Sequence, residues 1–133
     1  MVSREFIRME LTITVLNNLD ILVCDIQNAY VTATCCENIC IIAGQEFGSD
    51  QGSVIMIKTT LYGLKGSGAA FKSKLVVVIW DLGYWPTPTD PDAWIRPTTN
   101  KQSMNYDEMV LYYVDDILAM SHDLMDTMKL RKS

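Results

Sequence analysis

The sequence predicts an α+β fold in which helices pack on one face of an antiparallel sheet. Helical spacing of apolar residues occurs in only two long segments, and short runs rich in β-branched residues fill much of the remainder. The runs follow one another with few strand–helix–strand alternations, which is typical of antiparallel sheets. With 133 residues, of which 49% are apolar, the chain can bury one continuous core, so we expect a single domain.

The first helix and the first strand are predicted near the N-terminus. Residues 3–18 carry apolar side chains in a mixed pattern that favours a helix over a strand, and Asn17-Asn18 marks its end. Residues 19–25 form a short apolar run enriched in strand formers. We therefore expect a buried strand that ends at Asp25.

Two strands and a second helix are predicted in the middle of the chain. Residues 39–43 and 54–58 are apolar and β-branched, and the polar stretch between them contains glycine, which predicts two strands joined by a loop. Residues 61–68 hold three glycines and read as a turn. The apolar face of the helix that follows, which is predicted to begin near Ser67 and to end at Gly83, comprises Phe71, Leu75, Val78, Ile79 and Leu82.

The C-terminal part predicts extended structure and a hairpin. All four prolines lie within residues 86–97, so we expect no more than a short edge strand at residues 93–96, followed by a polar loop over residues 98–107. The apolar runs 109–114 and 117–120 are separated only by two aspartates, which predicts a β-hairpin. Ser121 or Asp123 is predicted to cap a short helix toward the basic C-terminus.

Charge and hydropathy exclude several classes of protein. No apolar run approaches the roughly 18 residues of a membrane-spanning helix, and the charged N-terminus argues against a secretory signal. The net charge of −5 argues against a free-standing nucleic-acid binder. Residues 51–80 nevertheless contain four lysines and no acidic residue, a pattern that fits either a phosphate-binding surface or a solvated helix face.

The cysteines do not predict a zinc site. Cys24, Cys35, Cys36 and Cys40 lack the two separated ligand pairs of a structural zinc site, and the single histidine, His122, lies far along the chain. We expect buried thiols in a reducing compartment.

The strongest chemical feature is the pair Asp115-Asp116 at the tip of the predicted hairpin. Aspartate is a favoured turn residue, but adjacent carboxylates also repel one another unless a cation neutralises them. Asp25 ends another apolar strand, and if that strand neighbours the hairpin, three carboxylates converge at one edge of the sheet. Such an oxygen-only cluster is typical of Mg²⁺, and two such ions activate the attacking hydroxyl in polymerases.

These residues also carry a family resemblance. Residues 113–116 (YVDD) resemble the Tyr-X-Asp-Asp box of reverse transcriptases, and residues 25–30 (DIQNAY) resemble their first catalytic motif. Residues 61–65 (LYGLK) and 90–92 (DPD) resemble segments of the copia-type enzymes of LTR retrotransposons. The motifs occur in the family's order and span nearly the whole chain, which makes the match far more specific than any one of them.

The resemblance implies a function and a set of site residues. The chain would be the palm region of an RNA-directed DNA polymerase, with Asp25, Asp115 and Asp116 as catalytic ligands of two Mg²⁺ ions, which Mn²⁺ could replace. Tyr30 would exclude a 2′-hydroxyl on the incoming sugar. Four further residues are assigned to substrate binding: Tyr62, Gly63 and Lys65 near the nascent base pair and template, and Tyr113.

The resemblance also predicts the context of the chain. Residues 1–133 would be one partial domain without fingers, thumb or RNase H, so we do not expect it to polymerise alone. Its partners would be an RNA or DNA template-primer and deoxynucleoside triphosphates, without a membrane, in a cytoplasmic retrotransposon particle or in the nucleus. Gly68, where the family commonly has proline, departs from the pattern. Two alternatives are a catalytically silent retroelement remnant and an unrelated metal-binding α+β domain.

Overall fold

The computed structural model describes residues 2–125, which form helices and strands in two compact units. One unit comprises residues 2–27 and 75–125, and the other comprises residues 28–74. The elements in chain order are α1 (Arg4–Leu16), β1 (Asp20–Asp25), β2 (Cys40–Ile42), β3 (Val54–Met56), α2 (Ser67–Asp81), β4 (Trp85–Pro86), β5 (Ala93–Thr99), β6 (Asn105–Tyr113) and β7 (Asp116–Ser121). No helix in this part of the chain is long and apolar enough to cross a membrane.

The first unit is built on a five-stranded sheet in the order β1-β7-β6-β5-β4. Every neighbouring pair is antiparallel, so the predicted α+β class with an antiparallel sheet is confirmed. Strands β6 and β7 form the predicted hairpin, although Tyr113 pairs with Asp116. The two-residue turn is therefore Val114-Asp115 rather than Asp115-Asp116.

Helix α1 covers part of one face of this sheet. Ser3 caps the helix by accepting a hydrogen bond from the amide of Phe6 at 3.1 Å. Phe6 packs in a buried cluster with sheet residues that include Met109, Leu111 and Met120. These three share a face, because residues two apart on a strand and direct cross-strand partners point to the same side.

The C-terminal half of α2 and the turn after it lie against the opposite face. Trp80 contacts the ring of Trp94 edge-on, with centroids 6.4 Å apart, and Trp94 pairs with Val110 on the face that alternates with Leu111. The expectation that both helices pack on one face is therefore wrong. The reason is visible in β6, where residues 108–112 are all buried, because a strand with consecutive buried residues needs cover on both sides.

The prediction of a polar loop over residues 98–107 is also wrong. Strand β5 continues to Thr99, and β6 begins at Asn105. Strand β5 is not an edge strand, since β4 pairs with it through Trp85 and Pro86. That partner is only two residues long, so Pro97 lies beyond it and its missing N–H disturbs no ladder on that side.

The second unit contains the smaller antiparallel sheet of β2 and β3, as the sequence predicted. Two short 3₁₀ turns, Tyr30–Thr32 and Gln45–Asp50, precede and follow β2. An isolated bridge between Thr34 and Thr59 ties the segment before β2 to the segment after β3. At the other end of the chain, Ser121 belongs to β7, and most of the short helix predicted after it lies outside the described residues.

Candidate active site

Two of the three predicted catalytic aspartates are direct partners on neighbouring strands of the sheet. Asp25, the last residue of β1, is the direct antiparallel partner of Asp116, the first residue of β7. Direct partners point to the same side, with Cβ atoms about 4.5–5.5 Å apart. Both side chains are exposed, so the sheet presents two adjacent carboxylates to solvent.

The third aspartate, Asp115, lies in the turn. Its carbonyl accepts a hydrogen bond of 2.9 Å from the amide of Ile26, which extends the pairing of β1 and β7 by one step. Its side chain is half-buried and does not share the strand alternation that aligns Asp25 with Asp116. Among residues 2–125, no three side chains of the metal-ligating types are grouped closely enough to hold an ion. The structure thus brings two of the expected carboxylates together and leaves the third beside them.

The pair nevertheless fits a divalent cation by its chemistry. Like charges directly opposite each other on neighbouring strands are destabilising, and a hard cation between carboxylate oxygens offsets that repulsion. Asp25 and Asp116 would hold such an ion, and the neighbouring turn residue Asp115 could contribute an oxygen after a local adjustment of the turn.

The turn itself stores backbone strain. Val114 has a φ of 58°, in the left-handed region, which a β-branched side chain rarely adopts. The hairpin register forces this conformation, since two residues must join strands paired from Tyr113 to Asp116. A strained residue directly before two aspartates is the kind of outlier found at functional sites.

The surroundings of the pair are open and partly apolar. Tyr113, the cross-strand partner of Asp116, is 46% exposed, and Val23 beside Asp25 on the same face is 68% exposed. Helix α1 covers the far end of this face, around Met120. Within the described residues, the near end of this face, at Asp25 and Asp116, is exposed.

The predicted sugar-binding tyrosine lies in an aromatic cluster of the second unit. Tyr30 contacts Tyr62 with ring centroids 4.6 Å apart and Phe71 with centroids 5.9 Å apart. Tyr30 is half-buried, whereas Tyr62 is 56% exposed. The hydroxyl of Thr60 donates to the carbonyl of Tyr30 and fixes the backbone beneath the ring. The cluster thus exposes the ring of Tyr62 beside Tyr30, whose backbone is held by Thr60.

The other predicted residues of this unit are exposed in the turn before α2. Gly63 has a φ of 93°, and nothing lies within 4 Å of the place where a side chain would begin. The glycine is therefore required by backbone conformation and not by a close neighbour. Lys65 is exposed in the same turn, whereas Lys74 donates to the carbonyl of Thr32 at 3.0 Å.

The Asp90-Pro91-Asp92 segment has a structural role that the motif alone did not indicate. The carboxylate of Asp90 accepts hydrogen bonds from the amides of Ser3 and Asp92, both at 3.0 Å. The carboxylate of Asp92 accepts a 2.7 Å hydrogen bond from the hydroxyl of Tyr112. The segment therefore links the start of α1 to the strand that leads into the hairpin.

A second buried polar network, centred on Glu108, was also not predicted from the sequence. Glu108 accepts hydrogen bonds from Arg96, at 2.5 Å, from Tyr84 and from Ser121. The sequence offered a signal, because Arg96 and Glu108 are charged residues that directly adjoin the apolar runs 93–95 and 109–111. The sequence prediction places Arg96 at the end of a short edge strand and leaves Glu108 between the predicted loop and the hairpin.

The cysteines differ from the sequence expectation. All four are thiols, but none is buried: Cys36 and Cys40 are exposed, and Cys24 and Cys35 are half-buried. For Cys40 the short strands explain the difference, since β2 and β3 are three residues each and cover little surface.

Comparison of the sequence with models of known protein families identifies the family of this chain. A family model described as Reverse transcriptase (RNA-dependent DNA polymerase) matches residues 1–133. Searches of curated proteins and of solved structures give no match. The family match covers the whole chain, and it includes both strands that carry the facing aspartates.

Proposed function

Because the chain belongs to the reverse transcriptase family, we propose that it carries the catalytic centre of a copia-type RNA-directed DNA polymerase, within the palm region of that enzyme. The observation that supports this best is the pairing of Asp25 with Asp116. These two residues come from motifs at opposite ends of the chain, and both are exposed on one face of the sheet.

The proposed cofactors are two Mg²⁺ ions, with Mn²⁺ as a substitute. Such ions stabilise charge on the attacking and leaving oxygens of nucleotidyl transfer. Asp25 and Asp116 would be the first ligands, and Asp115 would complete the carboxylate set from the turn. In the chain alone, the carboxylates hold the ions weakly, because Mg²⁺ sites of this kind are completed by substrate phosphates.

The proposed substrates are a deoxynucleoside triphosphate and a template-primer of RNA or DNA. Tyr30, held by its contacts with Tyr62 and Phe71, would be a rigid wall against a 2′-hydroxyl. The exposed ring of Tyr62 offers a face on which a base can stack, and Lys65 offers charge to a phosphate. Tyr113 and Gly63 complete the proposed substrate-binding set.

The proposal is tested by nucleotide binding that depends on the metal. We expect a fluorescent deoxynucleotide, mant-dATP, to bind the chain in Mg²⁺ and to lose about tenfold or more in affinity in Asp25→Asn and Asp116→Asn, which is a loss of about 1.4 kcal/mol or more. Asp20→Asn is the matched control, since Asp20 is an exposed aspartate at the other end of β1. Binding that is equal with and without Mg²⁺, or equal in all three variants, would contradict the proposal.

A further inference from the structure

The second unit contains a pair of adjacent, accessible thiols that the proposed polymerase does not use. Cys35 and Cys36 are consecutive free thiols, of which Cys36 is exposed and Cys35 is half-buried. Their Cα atoms are about 3.8 Å apart across a trans peptide, and both residues line the same cavity.

The backbone that carries the two thiols is fixed. The amide of Cys35 donates to the carbonyl of Lys58 at 2.9 Å, and the Thr34–Thr59 bridge holds the preceding residue. On the other side, the amide of Ile39 donates to the carbonyl of Glu37 at 3.0 Å. A dithiol on a fixed backbone loses little conformational entropy when it binds a ligand.

The thiols have only weak partners among the described residues and lie beside a small cavity. Cys35 Sγ donates to the carbonyl of Glu37 at 3.3 Å, and Cys36 Sγ donates to the carbonyl of Thr34 at 3.7 Å. Both residues line a cavity of about 40 Å³ whose wall also includes the apolar Leu64. That volume accommodates one or a few heavy atoms but no large organic group.

We propose that Cys35 and Cys36 form a dithiol site for a soft, thiophilic trivalent arsenical. An arsenic(III) oxide group condenses with two thiols: two S–H bonds break, two As–S bonds form, and the arsenic-bound oxygen leaves with both protons as water. No atom changes its oxidation state. The arsenic atom would lie at the mouth of the cavity, and its organic substituent would point into solvent.

The probe is phenylarsine oxide, measured by intact-protein mass spectrometry on the folded chain. We expect one adduct that withstands a monothiol such as mercaptoethanol and is removed by dimercaptopropanol. Cys35→Ser and Cys36→Ser should each lose roughly 100-fold or more in affinity, because the second bond of a chelate forms at high effective concentration. Cys24→Ser and Cys40→Ser should bind as the unchanged chain does.

Two results would overturn the proposal. One is the absence of an adduct on the folded chain, and the other is unchanged affinity in Cys36→Ser with the circular dichroism spectrum preserved. The Cys36 variant decides the question even if Cys35→Ser fails to fold, since Cys36 is the more exposed of the two. The outcome is independent of the polymerase proposal, because neither thiol belongs to its site.

Discussion

At the scale of single residues, Glu10 is a titratable group whose pKa is changed by folding. It lies on the buried side of α1 with Phe6 and Thr14, is 4% exposed, and its Oε2 has no hydrogen-bond partner within residues 2–125. Burial raises the pKa of this carboxyl above its ordinary value of 4.5. The folded state therefore binds the proton more tightly than the unfolded state, and this contribution to stability is lost as pH rises from 4.5 through the raised pKa.

Glu10→Gln should consequently stabilise the protein at neutral pH. We expect the free energy of unfolding in urea to increase by about 1–3 kcal/mol at pH 7, because a neutral amide replaces a buried charge, and to change little below pH 4.5. Glu5→Gln is the control, since Glu5 is exposed in the first turn, where a negative charge is favourable. An effect of Glu10→Gln that is the same at both pH values would show that the carboxyl is not charged at neutral pH.

Val114 is the residue at which backbone strain and the candidate site coincide. Its left-handed φ of 58° costs roughly 1–2 kcal/mol for a side chain with a Cβ, so Val114→Gly should raise the free energy of unfolding by about 1 kcal/mol. Val54→Gly in β3 is the control, since that valine is exposed and its φ is not positive, and it should lower stability by about 0.5–1 kcal/mol. If both variants are destabilised alike, the turn is not strained.

At the scale of elements, the Asp90–Asp92 segment holds α1 to the sheet of its unit. Asp90→Ala removes the acceptor of two amides, those of Ser3 and Asp92, and should cost about 1–3 kcal/mol in urea unfolding. Asp107→Ala, at an exposed position of β6, should change stability by less than about 0.5 kcal/mol. Equal losses of unfolding free energy in the two variants would contradict the structural role of the segment.

The sequence predicted most elements of the fold because their apolar patterns are local. The helix near residues 3–18 and the strand ending at Asp25 appear as expected, since periodicity and end signals agreed there. The continuation of β5 through Pro97 was missed, because a proline pattern cannot reveal that the partner strand ends before it. The hairpin register was displaced by one residue, because two aspartates are better turn formers than Val114 and only the pairing with β1 settles the alignment.

At the scale of the whole molecule, motif order predicted the family, and pairing between distant strands gave the geometry. The sequence indicated that Asp25 and the hairpin would be close if their strands were neighbours, and the order β1-β7-β6 makes them so. It could not indicate that Asp116 rather than Asp115 faces Asp25, because side-chain direction depends on register. The sequence also could not indicate that both faces of the sheet are covered, because this depends on where α2 and the turn after it pack.

The most direct test of the central claim is where a paramagnetic ion binds. Mn²⁺ broadens the amide signals of nearby residues, so titration of the ¹⁵N-labelled chain should first broaden those of Ile26, Val114 and Ile117, which flank the three aspartates. In Asp25→Asn/Asp116→Asn this broadening should disappear, while the spectrum of the remaining sheet stays unchanged. Broadening that begins at other acidic positions, or that persists in the double variant, would show that the facing aspartates are not the metal site.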